Sequence, residues 1–308
     1  MSLESAAIKM SAHHPFRSAK AKEQYLKLYD MRAKEWPVAS ETGVVSTAYG
    51  PTFVRVSGPD SAPPLLLLHG VSGNSLQWAP NIGALSKSFR VYAVDNIYDY
   101  GRSVYTRIIK NPDDYLTWLD ELFGALALGD HIHLMGLSYG GWLTSQYALR
   151  FPHRLDKMVL LAPVGTVLPM RKEWILRAAL CALPHPYFTK RFMYWLFEDL
   201  VHKDAANRRM VDEWAEESYT ALRSFKPKRM AHPTVLTDAE WQQIKAPTLY
   251  LVGENEKLHS AREAVQRLHK VAPQVEAEVI PKAGHDLTIV RAELVNRKVV
   301  EFLERPYS

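Results

Sequence analysis

The sequence predicts an α/β protein: a mostly parallel, eight-stranded sheet with helices on both faces and an inserted helical cap. Three observations carry this. Short apolar runs alternate with longer helix-forming runs, the pattern of strands buried on both faces by crossover helices. The turn Gly136-Leu137-Ser138-Tyr139-Gly140 stands between one such strand and the helix after it. A long interval, 162–247, then breaks the alternation with aromatic-rich helical sequence.

Taken in order, the chain opens on a loose tail. Ser18 to Glu35 follows as a helix docked through Tyr25, Leu26, Leu28, Tyr29 and Met31, and Pro37 ends it. Val44–Tyr49 and Thr52–Ser57, separated by Gly50-Pro51, read as a hairpin that supplies an antiparallel edge. Leu65–Leu68, Val91–Val94, Ile132–Met135, Met158–Leu161, Thr248–Val252 and Ala277–Ile280 are the buried strands. Helices are expected over Gln77–Ser86, Asp113–Ala127, Gly141–Arg150, Ala261–Val271 and Ala292–Leu303. The expected organisation is an N-terminal helical extension (1–43), a core (44–165 with 241–308) and a helical cap (166–240). The cap holds Trp174, Tyr187, Phe188, Phe192, Tyr194, Trp195, Phe197, Trp214 and Tyr219. Most of these serve ordinary helix packing, and some line a pocket, because sites form at the carboxyl ends of parallel strands.

Composition narrows the function classes. Hydrophobic residues make up 47% of 308, enough for a large core. The net charge of +5 is spread among interspersed acids and bases, and Lys226-Pro-Lys-Arg229 is too short a cluster for a nucleic-acid stripe. The single cysteine, Cys181, excludes an internal disulfide and sits in an apolar run, as an inert buried thiol does. No cysteine–histidine spacing suggests zinc, no apolar run approaches the ~20 residues of a membrane span, and the N-terminus lacks a signal-peptide pattern. A cytoplasmic protein is expected, with no metal or cofactor.

Strand, Gly-x-Ser-x-Gly, helix is the signature of a nucleophile elbow. The serine occupies a sharp turn with strained backbone angles. Gly136 and Gly140 carry no side chains to collide across that turn, and the following helix points its N-terminus at the site. A serine hydroxyl needs a base to take its proton, and the base needs an anion to orient it. In elbow hydrolases the chain order is serine, acid, histidine. His285 follows the last strand in Pro281-Lys-Ala-Gly-His285 and is the candidate base. The acid belongs on the loop after Thr248–Val252, which reads Gly253-Glu254-Asn255-Glu256. Spacing from the glycine picks Glu256, with Glu254 as the runner-up facing solvent or loop backbone. Ala162–Thr166 has no carboxylate, so the alternative placement after the preceding strand is closed. The candidate oxyanion donors are the N–H of Tyr139, next to the nucleophile, and the N–H of Val71 in the loop His69-Gly70-Val71-Ser72-Gly73. His69 is expected to hold that loop by hydrogen bonds.

Ser138, Glu256, His285 and the His69-Gly70 loop together resemble the α/β-hydrolase superfamily over residues 44–303. The chain is similar, more closely, to bacterial carboxylesterases of the NP (naproxen esterase) type. That likeness runs through Tyr25–Tyr29 with Trp36-Pro37, Ser57-Gly58-Pro59, Leu65–Gly70, Tyr92–Asp95, Gly136–Ser138, Leu236–Asp238, Gly253–Glu256 and Ala277–His285. The resemblance implies hydrolysis of carboxylic esters, a bulky acyl group among them, and a glutamate as the triad acid. The cap differs most. Asp286 is a further departure, standing where an apolar residue often follows the histidine.

The competing readings share the fold. A C–C bond hydrolase, thioesterase, lactonase or perhydrolase keeps the same three residues. Dehalogenases and epoxide hydrolases use an aspartate nucleophile, against which Ser138 argues. A non-catalytic binding protein of this fold usually loses a triad member, and this chain keeps all three.

Overall fold

The computed structural model describes residues 10–306. Its strands are β1 (Glu41–Thr47), β2 (Gly50–Ser57), β3 (Pro64–Leu68), β4 (Arg90–Val94), β5 (Ile132–Leu137), β6 (Leu155–Leu161), β7 (Thr248–Gly253) and β8 (Val275–Ile280). They form one sheet in the order β1-β2-β4-β3-β5-β6-β7-β8. β1 pairs antiparallel with β2 and β2 with β4, and every pairing from β4 to β8 is parallel. The hairpin turns at Ala48-Tyr49 rather than at Gly50-Pro51, which open β2. Proline is tolerated there because it stands at the start of a strand, where a missing N–H costs least.

Alternation along β3 divides the core. Leu66 and Leu68 face one layer with Trp118 and Trp142, while Leu65 and Leu67 face the other with Trp78 and Phe302. The first layer is closed by α3 (Pro112–Ala125), α4 (Tyr139–Arg150) and α10 (Ala261–Val271). The second is closed by α2 (Ala79–Leu85) and α12 (Ala292–Glu304), with the short α11 (Leu287–Val290) before it. β8 is an edge strand and shows it: Glu276 and Glu278 point outward and pair with Arg305 and Lys298.

α1 (Ala19–Ala33) starts at Ser18, whose hydroxyl accepts the N–H of Ala21. It docks through Tyr25 and Tyr29, whereas Met31 is exposed. Of the expected tail, residues 1–9 lie outside the described residues. The remainder is packed: Phe16 is buried in a bridge with Phe225, and Pro15 accepts the N–H of Lys226.

Between β6 and β7 the chain forms α5 (Lys172–Leu180), α6 (Pro186–Leu196), α7 (Glu198–Lys203) and α8 (Ala205–Ser224). An extended stretch follows and ends at α9 (Asp238–Gln243), which Thr237 and Glu240 cap reciprocally. Phe197 is buried; Trp174, Phe192 and Trp195 pack against one another, and Tyr187 is exposed. Cys181 is half-buried rather than buried, and that burial pushes its thiol pKa up.

Candidate active site

β5 delivers Ser138 to the sheet's carboxyl edge, and α4 begins at the next residue, two positions earlier than the sequence suggests. Ser138 has φ 54° and ψ −114°, a conformation costly for a residue with a side chain. Three backbone hydrogen bonds hold it. Its N–H donates to Leu161 at 2.9 Å, and its carbonyl accepts from Trp142 at 3.1 Å and Val164 at 3.2 Å. A Cβ on Gly136 would lie 2.2 Å from the carbonyl oxygen of Gly140, the expected collision across the turn. Gly140 is crowded from elsewhere: its Cβ would lie 2.1 Å from the carbonyl oxygen of Leu68, at the end of β3.

The loops after β7 and β8 bring Glu256 and His285 together. His285 Nδ1 lies 2.9 Å from Glu256 Oε2, and both side chains are buried. The other carboxylate oxygen accepts the N–H of Leu258 at 2.9 Å. Burial alone would raise the Glu256 pKa, but the charge and hydrogen bond of His285, with help from His259 and Leu258, hold it below the usual carboxylate value. Burial likewise works against His285, and Glu256 outweighs it, so the imidazole pKa is raised. An ionised Glu256 can only accept, so the Nδ1 proton points at it and Nε2 is left as the acceptor. Glu254, by contrast, is exposed, and its carboxylate accepts the backbone N–H of Lys282 at 3.0 Å.

The loop after β3 sits against Ser138, where a Cβ on Gly70 would lie 3.3 Å from Ser138 Cβ. His69 braces this loop from within. Its Nε2 accepts the N–H of Asn96 at 3.0 Å, and its Nδ1 therefore donates to the carbonyl of Gly70 at 2.7 Å. The Gly70 N–H goes to Gln77 Oε1 at 3.0 Å. Val71 is half-buried, and beyond it Ser72 takes a left-handed φ of 63° while its N–H donates to the Asp99 carboxylate. Tyr139 heads α4 and its hydroxyl donates to the carbonyl of Ala231, in the stretch after α8.

Three contributors carry no signal in the sequence, and the role of a fourth is not legible there. Gln77 and Asp99 hold the β3 loop from positions with no motif around them. His259 is buried beside Glu256, with Nε2 3.2 Å from the Tyr250 hydroxyl, and burial lowers its pKa. The fourth is Asp286, which stands out in the sequence only as a departure from the apolar residue that often follows the histidine. It accepts the Gly284 N–H on one oxygen and the Leu200 N–H of α7 on the other, and burial raises its pKa to about 6.

A mostly parallel sheet, a strained serine between strand and helix, and a hydrogen-bonded carboxylate–imidazole pair on the last two strand loops define the class, a nucleophile-elbow hydrolase fold. The chain belongs to the alpha/beta hydrolase family, whose profile matches residues 65–298. It is 33% identical over 291 residues to carboxylesterase YbfK of Bacillus subtilis (strain 168), covering 94% of this chain and 96% of that one. The crystal structure of carboxylesterase CesB (YbfK) from Bacillus subtilis aligns with a TM-score of 0.84 at 30% identity, covering 94% of this chain and 100% of that chain. Naproxen esterase (carboxylesterase NP) from Bacillus subtilis gives a TM-score of 0.84 at 31% identity with the same coverage. The resemblance read from the sequence, and the fold it implies, are thereby borne out. No helix among the described residues is long and apolar enough to cross a membrane.

Proposed function

We propose that this protein is a serine carboxylesterase that cleaves small carboxylic esters through an acyl-enzyme. The observation that carries the reading is the buried His285–Glu256 pair at 2.9 Å, on the loops after β8 and β7, at the same sheet edge as the strained Ser138. The likeness to carboxylesterases over nearly the whole chain supports it. In this reading Nε2 of His285 takes the Ser138 proton as Oγ attacks the ester carbonyl. Glu256 stabilises the imidazolium, and the N–H groups of Val71 and Tyr139 hold the oxyanion. The imidazolium then protonates the departing alcohol. A water, deprotonated by the same histidine, releases the acid. The scheme draws on no cofactor or metal.

In this account the roof of the site is 166–237, over a core of 41–165 and 238–308 with an N-terminal extension before it, because β1 begins at Glu41 and α9 at Asp238, inside the expected extension (1–43) and cap (166–240). Support comes from contacts on two sides: Ala231 accepts the hydroxyl of Tyr139, and Leu200 donates to Asp286 beside His285. A cytoplasmic location suits a chain with a single cysteine.

A panel of p-nitrophenyl esters, from acetate upward and including one aryl-branched acid, tests the function. Turnover of the panel by the wild type, lost in Ser138→Ala, is expected. A folded wild type that turns over none of them, or a Ser138→Ala protein that matches it, overturns the reading.

A further inference from the structure

Lys228, in the extended stretch after α8, turns its charge inward. The residue is only partly buried, yet Nζ is fully buried and has no hydrogen-bond partner among the described residues. Lysines ordinarily do the reverse, covering apolar surface with the stem and keeping the head in water. The ammonium has three N–H donors to satisfy. It stands 5.6 Å from the ring centre of Tyr98, 5.1 Å from Tyr100 and 5.3 Å from Phe225. Ring faces attract a cation but do not replace strong acceptors. The Asp99 carboxylate is the nearby countercharge, but its oxygens accept the N–H groups of Ser72 and Tyr100. Charge is therefore partly balanced while the donors are unmet. A buried group left so is costly and calls for a partner.

The position of this ammonium ties it to the reacting centre. A row of aromatic rings runs from it to the residue after the nucleophile. Tyr98 and Tyr115 are 6.4 Å apart, and Tyr115 and Tyr139 are 6.0 Å apart. The chain just beyond Lys228 follows the same row: Met230 Sδ lies 3.5 Å from the Tyr115 hydroxyl, and Ala231 accepts the hydroxyl of Tyr139. Asp99, on the other side, holds Ser72, the neighbour of Val71. The cation thus lies among the supports of both oxyanion donors.

We infer that Lys228 is an anion subsite of this active site, binding a carboxylate carried by the ester substrate. The preferred substrates are then half-esters of dicarboxylic acids, or esters of hydroxy acids, rather than neutral alkyl esters. This rests on the esterase reading above. Burial pushes the ammonium pKa down to about 8, with Asp99 opposing the shift, so the group stays charged at neutral pH.

The test compares matched pairs in a pH-stat at neutral pH. Monomethyl adipate against methyl hexanoate puts the carboxylate on the acyl side. The acetate ester of γ-hydroxybutanoate against butyl acetate puts it on the alcohol side. In one pair at least, wild type should favour the acidic member in kcat/KM. Lys228→Met should lower that acid-to-neutral ratio by about ten- to a hundredfold, as loss of a charge-assisted hydrogen bond does, and Lys228→Arg should keep most of it. A ratio that is the same in wild type and Lys228→Met overturns the subsite. Inhibition of wild type by free hexanoate and by its neutral counterpart hexanamide needs no variant: hexanoate should bind at least about tenfold tighter, and equal inhibition overturns the inference. If wild type cleaves neutral esters without preferring either acidic partner, the subsite alone falls. If it cleaves no ester of any kind, the esterase reading falls and takes the subsite with it.

Discussion

Replacing Glu256 by glutamine changes one atom, and the structure says what that atom does. The carboxylate receives two N–H donors, His285 Nδ1 on one oxygen and the Leu258 amide on the other, both at 2.9 Å. A glutamine has one oxygen. If that oxygen keeps Leu258, the amide NH2 faces His285 and forces Nδ1 to accept, which moves the imidazole proton to Nε2. The histidine is then protonated on the nitrogen that must take the serine proton. If the oxygen instead keeps His285, the NH2 opposes the buried Leu258 N–H, and the imidazolium still loses its countercharge. A wrong-tautomer change of this kind lowers kcat by about 10⁴-fold, or roughly 5.5 kcal/mol of transition-state stabilisation. Glu254→Gln supplies the comparison. Glu254 is exposed, and glutamine can still accept the Lys282 N–H, so kcat should stay within about twofold. The assay is kcat on p-nitrophenyl butyrate for the two variants, with thermal melts to establish folding. A Glu256→Gln protein within tenfold of wild type, or a larger loss in Glu254→Gln, would refute the argument.

Three further outcomes are expected. Attack needs neutral His285, and Glu256 raises its pKa above the ordinary value of about 6.5. Turnover should therefore be low below neutrality, where the ring is charged, and climb through a limb lying above pH 6.5; a limb at or below the ordinary value contradicts the pairing. Asp286 is held up at about 6 by burial, so its ionised form is disfavoured in the folded chain. Its contribution to stability should fall as pH rises from about 4 to about 6, and Asp286→Asn should flatten that window in melts taken against pH. Gly140→Ala places a methyl group 2.1 Å from the Leu68 carbonyl oxygen, and either unfolding or near-complete loss of turnover should follow; a stable, active variant would show that the elbow can shift.

How much of this was legible in the sequence depends on how each feature is held. The strands from β3 to β7 were plain because burial on both faces leaves continuous apolar runs such as Leu65–Leu68. β1 begins at Glu41, three residues before its expected start at Val44, because Glu41-Thr42-Gly43 is an exposed edge with no apolar signal. α4 begins at Tyr139 because Ser138 itself serves as the helix boundary, a fact of backbone angles rather than of composition. The distinction between Glu254 and Glu256 was readable from spacing after Gly253, since a tight turn fixes which side chain points inward. Lys228, Asp99 and Gln77 were not readable. Asp99 acts on Ser72 from 27 residues away, Gln77 reaches back to Gly70 from a short helix with no motif around it, and a lysine in Lys226-Pro-Lys-Arg229 looks like solvated surface until its head is seen to turn inward. The role of Asp286 was hidden because its partner Leu200 belongs to the inserted helices.

The central claim is that Ser138 is a nucleophile activated by His285 and Glu256. Treating the folded protein with a fluorophosphonate and mapping the modified peptide by mass spectrometry tests it most directly. The account predicts a single adduct on Ser138, formed rapidly in wild type and slowed by orders of magnitude in Glu256→Gln and in His285→Ala. An unlabelled wild type, an adduct on another residue, or labelling equally fast in all three proteins would contradict it.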